Sequence, residues 1–267
     1  MKPYLIFMNR STKQIIIGSI YLTIFFSITF GVYWNWFRPA PTCFDKRQNQ
    51  DETSIDCGGG CIACALKYPK KLEVVFAKDL PISATRSDVL AQIKNPNLTV
   101  GASVVNYHIT LKGHLDEILE ERDGTTFVYP GKLKYVYEPS FDVGASNVGS
   151  VGFVITDAQF QPEDRFYFKD LVTSDVKFEK NNNALRITGT ARNNGDLTID
   201  QLYVTGLIFD YNKHNVLGAS ATILRMILSR EQRFFEITLP TSLLEFIPLT
   251  GKEPVDIELS TLPLSEN

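Results

Sequence analysis

The sequence predicts an all-β protein, two β-sandwiches in tandem, carried behind a single N-terminal transmembrane helix and a small cysteine-rich module. Three observations support that reading. An uncharged, apolar run begins at Ile15, and the chain's 4 cysteines all fall between residues 43 and 64. Beyond residue 67, short apolar alternations are broken by Asn, Gly, Pro and Asp. The chain thus divides into a cytoplasmic tail (1–14), a transmembrane helix (15–37), a cysteine-rich module (38–66), a first sandwich (67–165) and a second (166–267).

Between Ile15 and Trp34 no side chain is charged, and a bilayer core takes about 20 apolar residues in helical form. Tyr33, Trp34, Trp36 and Phe37 close the run, at the depth where amphipathic rings favour the headgroups. A cleavable signal would have an apolar core of about 7–15 residues followed by a small-x-small site; this run ends in bulky rings. Pro41 and Thr42 before Cys43 likewise do not suit a lipoprotein signal. Lys2, Arg10 and Lys13 precede the span while Arg38, Lys46 and Arg47 follow it, so positive charge alone does not fix the orientation.

The cysteines decide it. An even, clustered set beside a membrane span reads as a disulfide staple in an oxidising compartment. That places the N-terminus in the cytoplasm and the later residues outside the plasma membrane. Gly58, Gly59 and Gly60 permit the tight path that brings Cys57 and Cys61 to their partners. Cys43, Cys57, Cys61 and Cys64 allow three connectivities, and spacing does not choose among them. Two other chemistries use the same residues. One is a four-thiolate zinc site in a reducing compartment. The other is a redox pair at Cys61 and Cys64, although the βα setting that activates such a pair is missing.

The stretch from Cys43 through Asp45, Asn49, Glu52 and Asp56 to Cys57-Gly-Gly-Gly-Cys61-Ile-Ala-Cys64 resembles the small DCGGxCxxC modules of extracellular and cell-surface proteins. It departs from them at Lys46, where glycine is usual. Asp45, Asn49, Glu52 and Asp56 form a candidate calcium set, because hard oxygen ligands suit that ion. The alternative is a loop solvated by its own polar residues.

Lys67 to Lys71 reads as a short basic linker. After it, Val105, Tyr107, Ile109 and Leu111 alternate with Asn106, His108, Thr110 and Lys112, as a half-buried strand requires. Leu133, Tyr135 and Tyr137 repeat the device, and Phe127 and Tyr129 precede a Pro130-Gly131 turn. Residues 87–97 and 185–195 each read as a strand ending in an Asn-rich turn. Asn and Gly tolerate positive φ and Pro presets φ at a negative value, so Asn95-Pro96-Asn97 and Asn193-Asn194-Gly195 reverse the chain. Aligning Asn95 with Asn193 gives a constant offset of about 98 residues, close to the size of one immunoglobulin-like sandwich.

The second copy resembles the FxLYD domain, a bacterial immunoglobulin-like module, through Ile187 to Gly195 and Gly206 to Ser220. Ile208-Phe209-Asp210 and Val216-Leu217-Gly218 stand at the places of that family's triplet and return strand. The first copy, through Ala91 to Asn97, looks like the same superfamily and is similar to the water-stress and late-embryogenesis-abundant sandwiches. These resemblances imply fold more than activity.

Chemistry is sparse. His108, His114 and His214 are the near-neutral acid–base groups, and none lies in a nucleophile signature. Glu117, Glu120, Glu121 and Asp123 form an acidic run, as do Glu163 and Asp164, and both read as solvated surface. A net charge of -3 gives no basic footprint for nucleic acid. Phe166, Tyr167 and Phe168 stand where one sandwich meets the next, and Ile223 to Leu228 is an apolar stretch suited to a buried strand or to an edge open to a partner strand. The sequence therefore predicts a non-enzymatic, membrane-anchored, extracytoplasmic binding or scaffolding protein of the cell envelope. Its partners are the lipid bilayer, through residues 15–37, and an unidentified envelope or surface protein. No cofactor beyond calcium is expected. The rival readings are a membrane-bound thiol-redox or zinc-binding protein and a stress-protective protein.

Overall fold

The computed structural model describes residues 9–37, 42–166, 170–181, 184–212, 215–241, 243–246, 249–250 and 253–262. The chain forms two compact units, Met1–Ile62 and Ala63–Asn267.

In the first unit, helix α1 spans Arg10–Val32 and passes into a π-helical turn over Tyr33–Phe37. The apolar helix covers 27 residues, Arg10–Trp36, and its apolar stretch is exposed rather than buried inside the protein. At 1.5 Å per residue that is about 40 Å, long enough to cross a hydrocarbon core. The helix begins at Arg10 rather than at Ile15, so Arg10, Lys13 and Gln14 leave the expected tail and become its polar first turn. These residues have good helix propensity and simply extend the apolar rod. Within the rod, the Thr23 hydroxyl donates to Ser19 O at 2.8 Å and that of Thr29 to Phe25 O at 2.9 Å, so these two hydroxyls are satisfied within the apolar segment.

The second unit opens with a short helix, α2 (Cys64–Lys67), within the stretch expected to be module and linker. Six strands follow: β1 (Glu73–Pro81), β2 (Ser87–Lys94), β3 (Val100–Lys112), β4 (Ile118–Val128), β5 (Leu133–Phe141) and β6 (Ser150–Pro162). Six more come after them: β7 (Leu171–Asn181), β8 (Ala184–Asn193), β9 (Ile199–Phe209), β10 (Val216–Ile227), β11 (Gln232–Leu239) and β12 (Val255–Thr261). They form four three-stranded antiparallel sheets, ordered β1-β2-β5, β4-β3-β6, β11-β8-β7 and β10-β9-β12. Moving every strand six places along the chain converts the first pair of sheets into the second. The internal repeat read from Asn95 and Asn193 is therefore present in the strand order as well.

Each pair of sheets encloses its own core. Val89, Ile93, Ile109, Leu111 and Phe141 fill the first, and Leu185, Ile187, Leu202, Val204 and Phe235 fill the second. On β3, Tyr107, Ile109 and Leu111 point inward while His108, Thr110 and Lys112 do not, as the alternation predicts.

A third apolar cluster joins the repeats. Leu80, Leu90, Tyr135 and Tyr137 from β1-β2-β5 pack on Leu207, Phe209, Val216 and Ala219 from β9 and β10. The four sheets thus stack in layers, with β1-β2-β5 and β10-β9-β12 in the middle. Strand β2 is covered on both faces, and every residue from Ser87 to Ile93 is buried. On β5 this reverses one expectation. Leu133 is exposed while Lys134 and Val136 are buried, because the tyrosine face of β5 turns to the second repeat and the face bearing Val136 lines the first core. Of the expected junction residues, Phe166 packs edge-on against Tyr129 at 5.7 Å; Tyr167 and Phe168 lie outside the described residues.

Candidate functional site

The cysteine loop is built from left-handed turns. Lys46, Gln50, Asp51 and Asp56 have positive φ, as do Gly58 (φ 83) and Gly59 (φ 58). A Cβ on Gly59 would lie 2.5 Å from Asp51 O, so this glycine is needed for close approach as well as for its backbone angle. All 4 cysteines are in disulfides. Cys43 pairs with Cys61, so Cys61 and Cys64 do not form a bonded pair with each other.

The four residues of the candidate oxygen set sit in this same loop, and most of their oxygens accept internal hydrogen bonds. Asp45 Oδ1 accepts from Arg47 N–H (2.8 Å) and its Oδ2 from the Asn49 amide (2.8 Å). Glu52 Oε2 accepts from the backbone N–H groups of Asn49 (3.1 Å) and Asp56 (3.0 Å). Asp56 Oδ1 accepts from Lys46 N–H at 2.9 Å. Asn49 Oδ1 is buried without a hydrogen-bond partner. The side chains act as caps for a chain path that has little regular structure of its own. Cys43, Glu52 and Cys61 bring potential metal ligands within 4.8 Å of one another. Two of the three are the sulfurs of one disulfide, which offers no thiolate.

In the second unit, a polar network crosses between the stacked sheets. Lys134 is only 7% exposed; its Nζ donates to Ser260 Oγ at 2.5 Å and pairs with Glu258 at 3.0 Å. It also lies 4.6 Å from the centre of the Phe127 ring. Glu258 accepts from Tyr135 N–H at 3.0 Å. The Tyr129 hydroxyl donates to Thr261 O at 2.9 Å and accepts from Thr261 N–H at 2.7 Å. A buried lysine is tolerated only with such partners, since an unpaired charge away from water is expensive.

Beside this network, a cleft of about 340 Å³ opens between the edge strands β4 and β5 and reaches β9. Tyr107, Phe127, Tyr137, Tyr203, Thr126 and Glu138 are among its walls. The Tyr107 hydroxyl donates to Glu138 Oε1 at 2.5 Å, and that of Tyr137 to Asp88 Oδ2 at 2.5 Å. Burial pushes both hydroxyls well above the ordinary tyrosine range, and the facing carboxylates push them further, so both remain protonated donors. Opposite Tyr107 in the ladder stands Gly124. A Cβ there would be 2.3 Å from the Tyr107 hydroxyl oxygen, so this glycine makes room for the phenol.

The remaining sequence candidates are scattered. His108 bonds Asp123 at 2.7 Å and Glu121 at 3.3 Å on an open strand face, and those two carboxylates raise its pKa. His114 Nε2 contacts Ser146 O at 3.0 Å; His214 lies outside the described residues. Glu120, Glu121 and Asp123 belong to edge strand β4. The stretch Ile223–Leu228 runs out along edge strand β10, with Ile223, Met226 and Leu228 exposed and Ile227 buried. Lys134, Glu138 and Gly124 escaped sequence reasoning. The available signal was Val136, an apolar residue set between two charged ones at alternate positions.

No protein-family model and no curated protein sequence matches the chain. Among solved structures, the crystal structure of red sea bream transglutaminase aligns with 75% of this chain and 32% of its own length, at 12% identity and a TM-score of 0.23. The chain thus spans about a third of that protein, and a likeness this slight carries no argument about fold or activity.

Proposed function

We propose that this is a non-enzymatic, single-pass envelope protein that holds a rigid β-sheet body outside the plasma membrane for binding or scaffolding. The observation that carries the reading is the pairing of a wholly exposed apolar helix with cysteines that are all oxidised. The helix asks for lipid, since an apolar surface of this length left in water opposes folding and solubility. The disulfides ask for an oxidising compartment, which supports a cytoplasmic N-terminus. The FxLYD-like reading of the second repeat belongs to this proposal, and such modules suit contact through loops and sheet edges.

The experiment is a topology map of the full chain carrying a tag at each end. Expected outcomes are retention in the membrane pellet after alkaline extraction and loss of the C-terminal tag when protease is added outside intact cells, with the N-terminal tag spared. Release into the alkaline supernatant, or protection of the C-terminal tag, would overturn the proposal.

A further inference from the structure

We propose that the cleft between β4, β5 and β9 binds a small organic cation with an alkylated ammonium head, Glu138 supplying the counter-charge and Tyr107, Phe127, Tyr137 and Tyr203 the walls. This goes beyond the anchoring and scaffolding reading and holds whether or not α1 lies in a bilayer.

Size comes first. The cleft measures about 340 Å³, within the range of about 300–1,000 Å³ that small-molecule sites occupy.

Charge selects the class of ligand. Lys134 is neutralised by Glu258 at 3.0 Å, so an anion entering the cleft would meet no unspent cation there. Glu138 accepts the Tyr107 hydroxyl, which leaves its charge in place, and it forms no ion pair among the described residues. Arg122, close enough to influence Tyr107, is paired with Glu120 at 2.8 Å. Lys134 and Glu138 lie four residues apart on one strand, about 13 Å along its axis, so the lysine does not cancel the glutamate. One uncompensated negative charge is left on an aromatic wall.

The walls fit the same ligand. Aromatic faces attract ammonium groups within about 6 Å of the ring centre, and the protein already uses that contact by laying the Lys134 ammonium over Phe127. Alkyl groups on the ligand nitrogen reduce its hydration and match the ring faces, while Glu138 supplies the charge. Gly124 completes the arrangement, since any side chain there would displace the hydroxyl that fixes Glu138.

The test uses full-length protein in a maltoside detergent and two probes of the same shape, choline chloride and its neutral carbon isostere 3,3-dimethyl-1-butanol, followed by calorimetric titration. Choline is expected to bind saturably and the isostere at least about tenfold more weakly, a difference of about 1.4 kcal/mol. Glu138→Gln should weaken choline by about tenfold or more and leave the isostere unchanged. Thr126→Trp, which fills the cleft, should abolish choline binding. Equal binding of the two probes, no saturable choline binding, or undiminished affinity in the Glu138→Gln protein would each overturn the proposal. If Glu138→Gln does not fold, wild-type affinity in Thr126→Trp overturns it instead. A failed topology map leaves all of these results standing.

Discussion

Asn95 and Asn193 show how much one side chain can hold. Asn95 is 1% exposed and Asn193 is fully buried. The Asn95 amide donates to Val100 O (2.9 Å) and Tyr129 O (3.2 Å), and its carbonyl accepts from Asn97 N–H at 2.9 Å. Asn193 donates to Leu197 O (2.8 Å) and Leu228 O (3.1 Å) and accepts from Gly195 N–H at 3.0 Å. Each ties its turn to a distant loop, so truncation leaves several buried backbone groups unpaired. Asn193→Ala should lower stability by about 2–4 kcal/mol in urea unfolding; a loss below about 0.5 kcal/mol, the range of neutral surface changes, would show that water replaces the amide. His108 gives a weaker, pH-dependent effect. Its folded pKa is raised, chiefly by Asp123 and then by Glu121. Its stabilisation is therefore full below about pH 6.5, the ordinary histidine value, and is lost as pH rises through the folded pKa. The effect should be small on this open face, and His108→Gln should flatten the slope. A histidine titration by NMR that returns the ordinary value would refute it. The asparagines were legible in the sequence because Asn-Pro-Asn and Asn-Asn-Gly punctuate strands; Lys134 was not, because strand alternation assigns a lysine to solvent and cannot anticipate the second repeat covering it.

The elements were the more readable scale. Strand β3, both Asn-rich turns and the apolar helix follow from local period and composition, and the repeat offset recurs in the strand order. What sequence left open was pairing at a distance, first of all among the cysteines. With Cys43 bonded to Cys61, replacing both by serine should leave no free thiol in the denatured, unreduced protein. Replacing Cys43 and Cys57 together should expose two. Thiol titration distinguishes the outcomes, and free thiols in the first variant would refute the pairing. The stacking of repeats was also hidden, although a comparison of β2 with its counterpart β8 gives a hint. Outward positions on β8 are Arg186, Thr188, Thr190 and Arg192, and none is buried; on β2 they include Leu90, which is fully buried. An apolar residue at that one place marks the face that takes a partner sheet, and the polar face of β8 ends the stack.

At the scale of the whole β body, the decisive property is that two cores share a third. The cluster of Leu80, Leu90, Leu207, Val216 and Ala219, with the Lys134–Glu258 pair at its margin, makes each repeat a wall of the other. Tandem domains linked only by chain bend at the linker; these should move as one piece, which suits a scaffold that must hold a surface at a fixed angle. The consequence is cooperative unfolding. The wild-type body should lose its near-ultraviolet circular dichroism in one urea transition, because exposing either repeat strips apolar cover from the other. Leu207 belongs to this cluster and is 1% exposed. Leu207→Lys buries an unpaired ammonium there, costing about 3–5 kcal/mol, and should split the curve into two transitions as the repeats unfold separately. A single transition at the wild-type midpoint in that variant would mean the shared cluster contributes little, and the rigid-body account would fall with it.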